Sequence, residues 1–204
     1  MKLYFSPGAC SLSPHIVLLE AGLPFQLEQV DLHGTKKTKG GVDYATINPK
    51  GAVPALQLDD GQVLTEGAAI VQYLADHKPE AQLAPAAGTM ERYRLQEWLN
   101  YIASELHKGF SPLFSRTNSD EVKQAAGAAL AVRLDYVAGR LAGKQFLLGD
   151  RFSVADAYLF TVLSWSRLVG IDLAKWPTLR AYHEGLQARP AVKAALATEK
   201  AARS

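Results

Sequence analysis

Two apolar runs of strand character flank one run of helical character within residues 2–32, and that order admits few folds. "KLYF" (2–5) predicts a short strand, and "SPGA" a turn. Ser13-Pro14 supplies an N-cap followed by a proline in the first turn, opening a helix through "HIVLLEAG" that stops at Gly22. "FQLEQVDL" (25–32) alternates as a second strand. A strand, helix and strand in succession call for a parallel pair joined by a right-handed crossover.

After a polar, lysine-bearing connector, "VPALQLDDGQVLTEGAAIVQYLADH" predicts strand, Asp-Gly turn, strand and then a helix from about Glu66 to His77. The order βαβ, connector, ββα is that of an α/β thioredoxin-like domain, placed at residues 1–80. "KPEAQLAPAAG" (78–88) is rich in proline, alanine and glycine, and no strand pattern survives beyond it, so a boundary falls there. Residues 88–204 then form an all-α domain, with helices expected near 89–115, 120–142, 154–169, 176–188 and 191–201. "GDRFSVADAY" supplies a capping box in which Ser153 and Asp156 satisfy helix-end donors.

Charge excludes some partners. The 204 residues carry a formal net charge of +2 with no long single-sign block, which argues against a nucleic acid or an anionic membrane. The local run "TKKTKGG" (35–41) is the pattern of a solvated loop. Among 204 residues there is one cysteine, so no internal disulfide is available, and the opening residues lack a signal-peptide core. A cytoplasmic protein that meets no membrane is expected. His15, His33, His77 and His183 lie at no metal-ligand spacing, and no metal is implied.

The single thiol, Cys10, sits in "SPGACSLSPH" where strand gives way to helix, the place where partial positive charge favours a thiolate. Cys10-Ser11-Leu12-Ser13 stands where a dithiol protein has C-x-x-C, but the second position is serine, so only a mixed disulfide with an external thiol is open to it. A second cluster lies on the helix "QEWLNYIASELHKGFSPLF". Asn100, Ser104, His107, Lys108 and Ser111 fall within an arc of about 100° away from the apolar stripe. That face is either a solvated surface or a site. Thr65-Glu66-Gly67 opens a helix, and Glu66 is either an acidic first-turn residue or an acceptor for an adjacent ammonium. The Val53-Pro54 bond is open to either isomer.

Five stretches in order, "SPGACSLSPH", "NPKGAVPAL", the run from Leu64 to Asp76, "NYIASELHKGFSPLF" and "SVADAYLF", resemble the bacterial beta-class glutathione S-transferases over essentially the whole chain. The resemblance implies a homodimer and reduced glutathione as co-substrate, with no tightly bound cofactor. It implies Cys10 beside the glutathione sulfur, a cis Val53-Pro54 whose backbone pairs with the cysteinyl unit, Glu66 and Gly67 at the γ-glutamyl end, and Lys36 at the glycine carboxylate. Asn100, Ser104, Glu105 and His107 are implied to approach from the helical domain, some reaching the other subunit's site, with Lys108 adding positive charge. Gly67 departs from the serine of many relatives, which loses a hydroxyl contact and keeps a backbone donor. Tyr4 and Ser6 lie near the catalytic hydroxyl of other transferase classes, but Tyr4 alternates within a strand.

Ionisation alone is a weak lever. For a thiol of ordinary pKa, a fall of two units raises the thiolate fraction roughly twenty-five-fold at pH 7, while each thiolate loses about eightfold in nucleophilicity. The net gain is about threefold, so most acceleration must come from holding the sulfur against an electrophile in an apolar pocket. Phe110, Phe114 and Trp165 are candidates for that pocket, although aromatics at helical spacing usually pack in a core. Three functions fit. One is transfer of glutathione to small apolar electrophiles, with His107 and Cys10 poising the sulfur. The others are a glutathione-dependent thiol-disulfide reductase or reductive dehalogenase using Cys10, and a carrier of apolar ligands.

Overall fold

The computed structural model describes residues 1–203, which form two compact units. The first comprises residues 1–84 together with 189–203, and the second residues 85–188. Each is built around its own core.

In the first unit, β1 (Lys2–Phe5), α1 (Leu12–Glu20), β2 (Gln26–Gln29), β3 (Ala55–Gln57), β4 (Val63–Thr65) and α2 (Gly67–His77) follow the expected order. The sheet runs β2-β1-β3-β4, with β1 parallel to β2 and antiparallel to β3, and β3 antiparallel to β4. Leu3, Tyr4 and Phe5 are all buried, because β1 is central and both its faces are covered. α1 is buried from Leu12 to Leu18, with the polar Ser13 and His15 included, and packs on α2 and on α8 (Pro190–Ala201).

Three details differ from expectation. Ser13 is not an N-cap: α1 already begins at Leu12, and the buried Ser13 hydroxyl donates to the Cys10 carbonyl at 3.0 Å. β2 ends at Gln29 rather than at residue 32. Soon after it, the Asp31 carboxylate accepts from the amides of His33, Gly34 and Thr35 and folds the chain into a turn. Those amide bonds, Thr35 first, pull the Asp31 pKa down to about 2. Third, α8 belongs to the first unit instead of closing the all-α block. Arg189 makes a two-pronged pair with Glu20 at 2.8 and 2.9 Å, and Glu199 accepts from the Gly8 amide at 2.7 Å.

The second unit is helical: α3 (Met90–Tyr101), a π-helical segment (Ile102–His107), α4 (Lys108–Phe114), α5 (Asp120–Leu141), α6 (Val154–Leu163) and α7 (Pro177–Gln187). Every residue of α6 is buried, which makes it the axis of the unit. Its start is held by the expected capping box. Asp156 accepts from the Ser153 amide and hydroxyl, the Leu147 amide and the Tyr182 hydroxyl, all within 2.9 Å. Residues expected as one helix over 89–115 are instead α3, the π segment and α4. A π turn takes up one extra residue, so the uniform step of 100° per residue assumed for the polar face does not hold through 102–107.

Candidate active site

In the first unit the turn after β1 carries Cys10 toward the loop before β3. Ser11 exchanges bonds with Ser6, its Oγ accepting from the Ser6 amide and donating to the Ser6 carbonyl, both at 3.2 Å. The Cys10 carbonyl receives the Ser13 amide and hydroxyl, so the residue sits in a turn that runs directly into α1. Its thiol, partly exposed, donates to the Val53 carbonyl at 3.1 Å.

Val53 is held from behind. The Tyr44 hydroxyl and the Asn48 side-chain amide both donate to the Ala52 carbonyl, at 2.9 and 2.6 Å. Burial is the main cause that pushes the Tyr44 pKa up to about 12, so this donor stays protonated at any ordinary pH. The Val53-Pro54 bond is cis, as the resemblance implies. Tyr4, Val30, Tyr44, Val53 and Ala55 form one buried cluster, and the Tyr4 hydroxyl donates to Gln57.

Glu66 precedes α2 with φ 71°, in the left-handed region that a non-glycine residue occupies at a cost of order 1–3 kcal/mol. Its carboxylate meets the Lys50 ammonium at 2.6 Å, and the same ammonium donates to the Thr65 hydroxyl at 3.0 Å. Lys50 was not singled out from sequence, although it opens the stretch "KGAVPAL" and supplies the adjacent ammonium that Glu66 lacked. At Gly67 an added Cβ would lie 3.8 Å from Pro54 and 4.0 Å from the Ser13 hydroxyl, ordinary contacts, so a serine fits there. Lys36 lies in the Asp31 turn with φ 59°, and its ammonium is bonded to the Leu32 carbonyl.

Within the second unit, the π segment carries Ser104, Glu105 and His107. His107 Nδ1 lies 2.8 Å from the Tyr158 hydroxyl, and its ring meets Trp165 edge-on with centroids 4.8 Å apart. Trp165 also packs edge-on against Phe110 and Phe114. Of these aromatics Phe110 is fully buried and only Phe114, 44% exposed, presents much surface, so Phe110 supports the others from inside. Glu105 is committed to Arg133 at 2.8 Å, and the Ser104 hydroxyl donates to the Asn100 carbonyl at 3.0 Å. Asn100 and Lys108 are exposed. No group of His, Cys, Asp and Glu among the described residues has the makings of a metal site.

The first unit is thus a thioredoxin-like sheet with one thiol against the loop before β3, and comparison with known proteins identifies its family. Residues 8–77 match the family model described as glutathione S-transferase, N-terminal domain, and residues 101–190 the corresponding C-terminal domain. The chain is 49% identical over 199 residues to glutathione S-transferase GstA of Escherichia coli O157:H7, covering 98% of each chain. It is 60% identical to BphK, a bacterial glutathione S-transferase solved as a ternary complex, with TM-score 0.96 over 98% of this chain and 100% of that one. To the bacterial beta-class enzyme of Sphingomonas chungbukensis it is 51% identical, with TM-score 0.94 over 98% of both chains. The chain belongs to the glutathione S-transferases, and among them to the bacterial beta class.

Proposed function

We infer that the protein is a glutathione transferase that joins the thiol of reduced glutathione to small electrophilic compounds, with glutathione as co-substrate and no tightly held cofactor. Membership of the family carries the reaction class. The glutathione sulfur attacks an electrophilic carbon, a carbon–sulfur bond forms, the leaving group departs with its electron pair, and the thiol proton passes to solvent.

The Lys50–Glu66 pair beside α2 is the observation that most favours the assignment of the ligand's ends, since a γ-glutamyl group carries both an ammonium and a carboxylate. We assign that end to Glu66, Lys50 and the Gly67 amide, the cysteinyl backbone to Val53 as an added strand, and the glycine carboxylate to Lys36. Cys10 is assigned to the neighbourhood of the sulfur, which its contact with Val53 supports. His107 is assigned to the sulfur as its polar partner. Asn100, Ser104 and Lys108 join it, and Glu105 acts through its pair with Arg133.

Phe114 is the surface we assign to the apolar electrophile, with the buried Trp165 and Phe110 backing it. A homodimer is supported by a groove lined by Arg94, Glu97, Trp98, Tyr101, Tyr136 and Arg140 on α3 and α5, the helices that also carry exposed Met90, Tyr93 and Val132. No helix among the described residues is long and apolar enough to cross a membrane, and the absence of disulfides fits a cytoplasmic enzyme of detoxification.

Turnover of an aryl halide, an epoxide and a mixed disulfide by wild type, Cys10→Ser and His107→Ala tests this reading. Conjugation is expected to survive Cys10→Ser, and thiol-disulfide exchange to vanish with it. Turnover of the mixed disulfide by wild type without any conjugation would instead favour the reductase or dehalogenase. Binding without turnover across the panel would leave only a carrier, and pH–rate profiles identical in wild type and His107→Ala would remove His107 from the mechanism.

A further inference from the structure

We propose that Tyr158 is a positioning residue for His107: its hydroxyl donates to Nδ1 and fixes the imidazole as the tautomer that carries hydrogen on Nε2. The contact is 2.8 Å long and its geometry is not accidental to one flexible side chain. Tyr158 is 4% exposed and stands on α6, two residues beyond the Asp156 that anchors the helix start through four accepted hydrogen bonds. The Trp165 ring, edge-on at 69° and 4.8 Å, fixes the plane of the imidazole. Both constraints come from one rigid segment of chain.

The direction of the bond follows from chemistry. A phenol is neutral below about pH 10 and has one hydrogen to give, and the lone pair of a neutral imidazole nitrogen is a better acceptor than a phenolic oxygen. A histidine with two ring nitrogens takes the tautomer that its fixed partner dictates. With Nδ1 accepting from Tyr158, Nε2 bears the hydrogen.

That assignment changes what His107 does, on the reading above that it serves the glutathione sulfur. A ring already protonated at Nε2 cannot take the thiol proton there. It donates a hydrogen bond that stabilises the thiolate, and the proton leaves to solvent.

The test is a long-range ¹H–¹⁵N spectrum of histidine-labelled enzyme at a pH where imidazoles are neutral, with the His107 signals identified by their loss in His107→Ala. The expected wild-type pattern is hydrogen on Nε2, giving way to a mixture in Tyr158→Phe. Kinetically, Tyr158→Phe should lower kcat about three- to tenfold, the scale of one neutral hydrogen bond, with the KM for glutathione within about twofold of wild type. His107→Ala and the double variant should agree within about twofold, because a residue acting only through His107 has nothing to add once it is gone. Hydrogen on Nδ1 in wild type, or effects of the two substitutions that multiply, would overturn the proposal. Should His107→Ala turn over like wild type, the role of His107 at the sulfur falls, while the tautomer spectrum still decides what Tyr158 does. The wild-type spectrum depends on no variant, so a misfolded Tyr158→Phe does not remove the test.

Discussion

Lys50 and Glu66 have side chains 57% and 69% exposed, so their 2.6 Å ion pair works mostly in water, where such pairs contribute about 0–1 kcal/mol to stability. On the assignment proposed above their value lies in what they would hold, since a charged ligand end makes hydrogen bonds of about 1.5–3 kcal/mol each to such groups. Lys50→Ala is therefore expected to raise the KM for glutathione roughly tenfold or more. Its melting temperature should fall by no more than about 3 °C. Steady-state kinetics beside a thermal scan checks both, and a large melting shift would mean that the pair is structural. Cys10, Val53 and Glu66 were legible because each is marked locally, by a turn, a proline or a helix start. Lys50 was not, because its partner stands on the far side of a hairpin. Only the register that pairs Ala55 with Thr65 across the Asp60-Gly61 turn carries the chain before β3 back to Glu66. An Asp-Gly turn with equal arms contained that register, so the signal was present. Tyr158 was hidden differently: the capping box accounts for "SVADAY" without it, and nothing local points across to His107.

Among the elements, the strands and most helices follow from periodicity and turn residues, whereas the π segment does not. A helical wheel assumes a constant step, and the extra residue absorbed over Ile102–His107 is decided by what the helix packs against, including α5 and α6. The join of α6 to α7 shows another long-range term. His183 on α7 stacks on Phe160 at 4.6 Å and shares a 2.9 Å hydrogen bond with the Ser164 hydroxyl at the end of α6. Burial is the main cause that lowers the His183 pKa below its ordinary 6.5, with Glu184 opposing. Between the lowered value and 6.5 the unfolded chain binds more protons at this site than the folded one. Stability from this residue is thus complete above 6.5 and declines as pH falls through that window. Unfolding free energies from urea titrations between pH 7 and pH 5 should drop more steeply in wild type than in His183→Gln, by a difference in slope of at most about 1.4 kcal/mol per pH unit. Parallel curves would show that His183 titrates the same way folded and unfolded.

At the scale of the molecule, the chain does not keep its two units contiguous. The switch from strand pattern to helix pattern near residue 80 was visible in composition, but the departure of α8 from the helical block was not, since a helix after helices gives no local sign of the core it joins. Its attachments to the first unit are spread over three places: Arg189 on Glu20, the Arg203 guanidinium on the Pro7 carbonyl, and Glu199. Glu199 is the buried one. Its carboxylate accepts the Gly8 amide at 2.7 Å and faces His15 Nδ1 at 3.2 Å, so α8 grips the turn that carries Cys10 and the helix that follows it. Removing that acceptor leaves the Gly8 amide and a buried imidazole to find other partners, at about 1.5–3 kcal/mol for a bond to a charged group. Glu199→Ala should therefore unfold at lower urea and exchange the amides of residues 6–10 faster. Glu199→Gln should recover part of both, because the amide oxygen still accepts from Gly8. Hydrogen exchange separates a local effect from a global one. Faster exchange confined to residues 6–10 would identify α8 as the support of the Cys10 turn, and unchanged exchange there would mean that the Ser6–Ser11 bonds hold it without help.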